Sequence, residues 1–325
     1  MSRLKRLLNL AGWGIALGFL ALAWQRIVAG QGDWSHVFAG LDWRLLAPAL
    51  AALLAGQGLL GMSGYVGCRS LGRYLPPGRS YRYWFVSQLT KYIPGGVWQV
   101  AARVVLYRRD GLPTAVAGAL TVWELAALLL TSLLLSLTGG VWASPELAAP
   151  VAVCAALIFG LLLLSQHDRF WRALQRLGWR GAETMLDAHR WMGGAPVRVY
   201  LSLGALYTLA WLLIGTGFYW LTLAVPDVSA LSWWQAVTSF TAAWAVGFLV
   251  IIAPVGIGPR EAVLTILLTP RFGVTIAFSI AIIARLWWTL GEALHLGAAL
   301  PWYWTQRTHH AAAEPSPSIG RDTGL

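Results

Sequence analysis

Residues 83–107 read YWFVSQLT, KYIPGGVWQV, AARVVLY, an apolar run from Tyr83 to Tyr107 broken at Ile93-Pro94-Gly95-Gly96. Proline removes a helical hydrogen bond and glycine permits a sharp turn, so the run reads as two short helices meeting at a bend. Trp233 to Leu268 repeats the plan, interrupted at Ala253-Pro254-Val255-Gly256-Ile257-Gly258-Pro259. Non-helical backbone survives at membrane depth only when it is buried in protein or faces a wet cavity. The two broken runs therefore predict re-entrant hairpins within an all-α polytopic membrane protein.

The rest of the chain supplies the crossings. Of 325 residues, 58% are hydrophobic and 11% charged, against roughly 25% charged in soluble domains, which excludes an ordinary soluble fold. Unbroken apolar runs, most near the roughly 20 residues that span a bilayer, occur at Leu7 to about Val28, Leu45–Val66, Thr114–Leu137, Pro150–Leu164, Tyr200–Val225 and Val274 to about Trp302. No two-residue alternation of barrel type runs through them. The first follows Arg3, Lys5 and Arg6; its length and the lack of a small-x-small cleavage site read as a retained helix rather than a signal peptide. Cys68 and Cys154 lie in separate apolar segments, which implies packing rather than a disulfide or a zinc site.

Lys+Arg number 24 against 13 Asp+Glu, a formal charge of +11, and every cation but Lys5 and Lys91 is arginine. That sum would suit nucleic acid if its placement were ignored. Apart from Arg103, Arg260 and Arg285 the arginines sit in loops or at the ends of the apolar runs, however, and with both hairpins re-entrant only Arg26, Arg44 and Arg271 fall on the outer side. Making the first broken run cross would put the six arginines between 169 and 198 outside, against the positive-inside rule. The expectation is about six crossings, two hairpins entering from opposite faces and both termini cytoplasmic, with no nucleic acid among the partners. Residues 1–305 form one domain in this reading, with an inverted repeat over 45–137 and 200–302 of the kind seen in secondary transporters, and 306–325 is a disordered tail. Between 166 and 198, Phe170, Trp171, Leu174 and Leu177 among arginines predict an amphipathic helix on the anionic inner leaflet, with a solvated basic loop as the plain alternative. High Ala, Leu, Arg and Trp with few lysines suits a GC-rich bacterium and hence its inner membrane.

Ionisable residues at membrane depth are costly, so they are functional candidates by default. Glu124 lies about 15 Å along its helix from Thr114, near the midplane. Arg285, Thr289, Glu292 and Leu296 fall on one helical stripe, with His295 beside it. Either helix-to-helix ion pairing or a proton relay accounts for them. In the hairpins, Lys91 and Arg103 flank the first turn, while Pro259 suits the first helical position with Arg260-Glu261 directly after it. Free amides at such helix starts bind anions, and a phosphate-bearing lipid head group fits them. Close packing through the glycines, with Arg260 paired to Glu124 or Glu292, fits the same residues equally well.

The segments Lys91-Tyr92-Ile93-Pro94-Gly95-Gly96-Val97-Trp98, with Arg103 and Gly111, and Pro254-Val255-Gly256-Ile257-Gly258-Pro259-Arg260-Glu261 resemble motifs of one family. It is the flippase-like membrane domain of the lysylphosphatidylglycerol synthases and their stand-alone relatives. By position, Lys91, Pro94, Gly95, Gly96 and Arg103 match the first motif, and Pro254, Gly256, Gly258, Arg260 and Glu261 the second. Val255 and Pro259 depart from it, where a further glycine and an aliphatic residue are usual. The resemblance implies movement of a lipid or lipid-linked head group between leaflets, with Lys91, Arg103 and Arg260 as phosphate ligands and Glu124, Glu261 and Glu292 as charge partners or proton carriers. It does not imply lysyl transfer, since the roughly 20 residues after Trp304 are too few for a soluble synthase domain.

Two other classes compete. A membrane enzyme acting on polyprenyl or phospholipid phosphates would need clustered acids, histidines or lysines; the sequence has no DxD, no HxxxxD and no nucleotide-binding glycine-lysine loop. No metal or other cofactor is expected. An accessory subunit partnered with lipid-synthesis enzymes would need only basic inner loops and a Trp-rich surface.

Overall fold

The computed structural model describes residues 40–92, 98–139, 145–165, 167–178, 181–191, 196–226, 231–250 and 258–312. The expected first crossing, the hairpin turns at 93–97 and 251–257, and the tail beyond 312 lie outside the described residues. Within them the chain is helical and without strands, as an all-α polytopic membrane protein requires. The helices are α1 (Trp43–Gly61), α2 (Ser63–Ser70), α3 (Pro77–Gln88), α4 (Trp98–Arg109), α5 (Thr114–Leu137), α6 (Pro145–Leu164), α7 (Asp168–Arg176), α8 (Gly181–Trp191), α9 (Pro196–Leu223), α10 (Trp233–Leu249) and α11 (Pro259–Ala312). A 3-10 turn, Leu89–Tyr92, ends the first arm of the first broken run.

Among the described residues, five stretches are long and apolar enough to cross a membrane: Trp43–Ser70, Thr114–Leu137, Glu146–Leu164, Val197–Leu223 and Pro259–Leu300. The last is interrupted, because Gly273 holds φ 74° and ψ 160°, a region that is essentially glycine's alone. The break divides α11 into residues 259–272 and 274–312, at the position where the hydropathy put the start of the last apolar run. The arms of the broken runs are short. Helices α3 and α4 have 12 residues each, about 18 Å at 1.5 Å per residue, against a hydrocarbon core of about 30 Å.

Helix starts follow local chemistry more closely than hydropathy. The α1 helix begins at Trp43 because Asp42 caps it, its Oδ1 accepting from the Arg44 amide at 2.9 Å. Ser232 and Gln235 form a reciprocal capping box that starts α10. Two expected starts move: α6 opens at Pro145 rather than Pro150, and α9 at Pro196 rather than Tyr200. In both cases a proline at the first helical position is pre-set for the turn. The last helix runs to Ala312, so residues 306–312 are helical where a disordered tail was expected. The amphipathic segment forms as α7, with Trp171 buried and its indole donating to the Ser165 carbonyl at 2.9 Å, while Leu177 stays outside.

The closest packing joins α1 to α9. Lipid tails are as apolar as leucine, so helices in a membrane associate through close backbone approach at small residues. A Cβ on Gly56 would lie 2.6 Å from Ile214 Cγ1, and one on Gly217 2.7 Å from the Ala49 carbonyl oxygen. Around this seam Leu53, Tyr207, Trp211, Phe218 and Phe240 are buried. The seam also places α5, α10 and α11 against α9, which brings the carboxylates of α5 and α11 into the interior.

Candidate functional site

Among the described residues, two groups of buried charge occupy the interior. In the first, Arg103 of α4 and Glu124 of α5 are both fully buried and meet at 2.9 Å. The Tyr107 hydroxyl donates to the other carboxylate oxygen at 2.7 Å. The remaining guanidinium nitrogens donate to Ser87 Oγ at 3.2 and 3.4 Å, and the guanidinium lies over the Trp84 ring at 4.0 Å from its centre. Cation and carboxylate thus satisfy each other, with a phenol and a hydroxyl closing the set. The helices approach closely enough to exclude anything else, since a Cβ on Gly64 would meet Tyr107 Oη at 2.5 Å.

The second group gathers Lys91, Glu292, Glu261, Arg285 and Arg260. Lys91 Nζ donates to Glu292 Oε1 at 2.5 Å, and the Trp288 indole donates to the same oxygen at 2.8 Å. Glu261 sends Oε2 back to the Gly258 amide at 2.7 Å, while Arg285 Nη1 approaches its Oε1 at 3.6 Å. Gly258 itself holds φ 97°, which explains why glycine stands at this bend. Arg260 is only 6% exposed, its guanidinium stacked between the rings of Trp288 and Phe240 at 4.5 and 4.7 Å. Its Nη2 has no hydrogen-bond partner among the described residues.

The expected site residues therefore divide. Lys91, Arg260, Glu261, Arg285 and Glu292 come together, with Gly258 beneath them. Arg103 and Glu124 form the other group. Pro94, Gly95, Gly96, Pro254 and Gly256 lie outside the described residues. His295 occupies a third position: the Tyr81 hydroxyl meets its Nδ1 at 2.6 Å and the Leu54 carbonyl its Nε2 at 3.1 Å, with Phe85 stacked on the ring. A carbonyl only accepts, so Nε2 carries a proton, and in the neutral ring Nδ1 accepts from Tyr81.

Three details differ from the sequence reading. The ion pairs are Arg103 with Glu124 and Lys91 with Glu292, so neither acid is taken by Arg260 as the packing alternative had it. The amide at the start of α11 is capped from within by Glu261 rather than left open. The inward stripe of α11 is Ala284, Trp288, Gly291 and His295; Thr289 faces outward and returns its hydroxyl to the Arg285 carbonyl. The aromatic side chains around the charges were also missed. Trp288 precedes Glu292 by one helical turn, a spacing legible in the sequence.

Among the described residues, no three His, Cys, Asp or Glu side chains are grouped to hold a metal ion. Neither the protein-family models nor the curated proteins compared with this chain match it.

Proposed function

We propose that this chain is a lipid translocase of the flippase-like kind, which holds an anionic head group at the junction of the two hairpins and opens to one leaflet at a time. The observation that carries the reading is Arg260. A buried guanidinium without a counter-charge costs several kcal/mol, and such a residue at membrane depth marks a substrate pathway by default. Lys91 and Arg285 sit in the same group with carboxylates already engaged, so Arg260 is the ligand with donor capacity to spare. Glu261 and Glu292 hold the two other cations in place. The break at Gly273 and the bend at Gly258 separate rigid segments on which the group is mounted, as a protein of alternating access needs. The membrane is the inner membrane of a bacterium in this reading, with both termini cytoplasmic.

The test is leaflet exchange in liposomes carrying fluorescent phospholipids and a polyprenyl-phosphate-linked lipid. The native chain is expected to accelerate exchange, and Arg260→Ala and Glu292→Gln to abolish it. Exchange no faster than in protein-free liposomes, across several pH values and with an imposed ion gradient, overturns translocation and leaves an accessory role beside a lipid-synthesis enzyme.

A further inference from the structure

Resting on that reading, we infer that the hairpin site selects its ligand by charge: it takes a singly charged phosphodiester head group and disfavours a doubly charged phosphomonoester. The described side chains that gather there carry three positive charges, on Lys91, Arg260 and Arg285, and two negative, on Glu261 and Glu292. Lys91 and Glu292 form one pair, and Arg285 and Glu261 a second. One positive charge is left, and it belongs to the side chain whose Nη2 lacks a partner. The two hairpin turns add nothing to the count, since residues 93–97 read IPGGV and 251–257 read IIAPVGI.

In a water-poor interior an uncompensated charge is the dominant cost. A phosphodiester, with one negative charge, brings the group to neutrality. A phosphomonoester, which carries about two near neutral pH, leaves a net negative charge and crowds the carboxylates of Glu261 and Glu292. The stacked guanidinium also suits an oxyanion more than a spherical ion. Its plane is fixed between Trp288 and Phe240, so its free N–H groups present a rigid donor edge.

Full-length protein in detergent is titrated calorimetrically at pH 8 with short-chain phosphatidylglycerol, short-chain phosphatidic acid, inorganic phosphate and chloride. The expected order places phosphatidylglycerol at least ten-fold tighter than phosphatidic acid, with both free anions weaker still. Arg260→Gln is expected to lose at least ten-fold in affinity for phosphatidylglycerol. Arg260→Lys keeps the charge and is expected to keep the order with weaker binding. Removing a negative charge raises the site to a net +2, so Glu292→Gln, and independently Glu261→Gln, are expected to turn the preference toward phosphatidic acid. Thermal melting of each variant separates a folded protein from a collapsed one, and two acid variants on different segments guard against the loss of either. Equal or tighter binding of phosphatidic acid by the native chain overturns the inference, as does unchanged phosphatidylglycerol affinity in folded Arg260→Gln. Chloride or inorganic phosphate binding as tightly as phosphatidylglycerol makes the ligand a free anion and overturns the lipid source. Leaflet exchange on the same samples keeps the two claims apart. Charge-selective binding without exchange removes translocation and leaves the selection standing; exchange of both lipids at equal rates and affinities does the reverse.

Discussion

Arg103 and Arg260 occupy comparable places, each on the helix that follows a Pro-Gly interruption of the sequence and each stacked on a tryptophan, yet one is sealed and the other is not. Arg103 spends its donors on Glu124 and Ser87, and Tyr107 completes the carboxylate. Arg260 has aromatic faces on both sides and no carboxylate at its Nη2. The difference teaches that burial of a charge in a membrane protein does not by itself identify a working residue. A satisfied pair holds helices in register, whereas a cation stacked on rings, with donor capacity left over, is costly to keep and so points to a ligand.

Substitution tests that contrast most severely. Arg103→Ala leaves Glu124 buried and without its cation, and the loss expected for breaking such a pair is about 3–5 kcal/mol, read as a fall in melting temperature in detergent. Arg260→Leu removes a charge that has no partner, so its stability is expected to be unchanged or higher, the lost stacking of about 2 kcal/mol being offset by the desolvation no longer required. Similar destabilisation by both substitutions breaks the comparison.

The Lys91–Glu292 pair is the next in size. Lys91 is in the 3-10 turn that follows α3 and Glu292 is on α11, 201 residues away, so this contact ties the end of the first broken run to the last helix. A double-mutant cycle with Lys91→Met and Glu292→Gln is expected to show a coupling of up to about 3 kcal/mol. A coupling near zero makes the pair incidental, and the second group then has no element that fixes its shape.

Much of this arrangement was legible beforehand. The hydropathy put the start of the last apolar run at Val274, and the backbone break at Gly273 falls directly before it; the turns of the two broken runs lie outside the described residues. Glu124 and Glu292 were singled out by cost alone, which is independent of fold. Partner choice was not legible. Whether Arg260 or Lys91 meets Glu292 depends on how α11 packs against α1 and α3, and part of that is set by close contacts such as Gly291 of α11 against Leu53 and Gln57 of α1, not by spacing along any one helix. Helix starts at Pro145 and Pro196 were missed because hydropathy averages over a window, while the start is decided by one residue's φ.

The smallest expected effect concerns the two breaks that the ion pairs bridge. Arg103 precedes Gly111 and Glu124 follows it; Glu261 precedes Gly273 and Arg285 follows it. Both glycines have positive φ, 82° and 74°, and neither has atoms within 4 Å of an added Cβ, so alanine there tests backbone strain without steric clash. Each substitution is expected to cost about 1–2 kcal/mol. Their consequences should nonetheless part. The Arg103–Glu124 contact at 2.9 Å is fully buried and supported by neighbours on both sides, so Gly111→Ala should lower the melting temperature and leave anion affinity alone. The Glu261–Arg285 contact is looser at 3.6 Å, and the segments on either side of Gly273 carry Arg260 and Glu292 separately. Gly273→Ala should therefore shift phosphatidylglycerol affinity as well as stability. An equal shift in affinity from Gly111→Ala means that strain at either break reaches the ligand, and the division between a structural cluster and a binding cluster then fails.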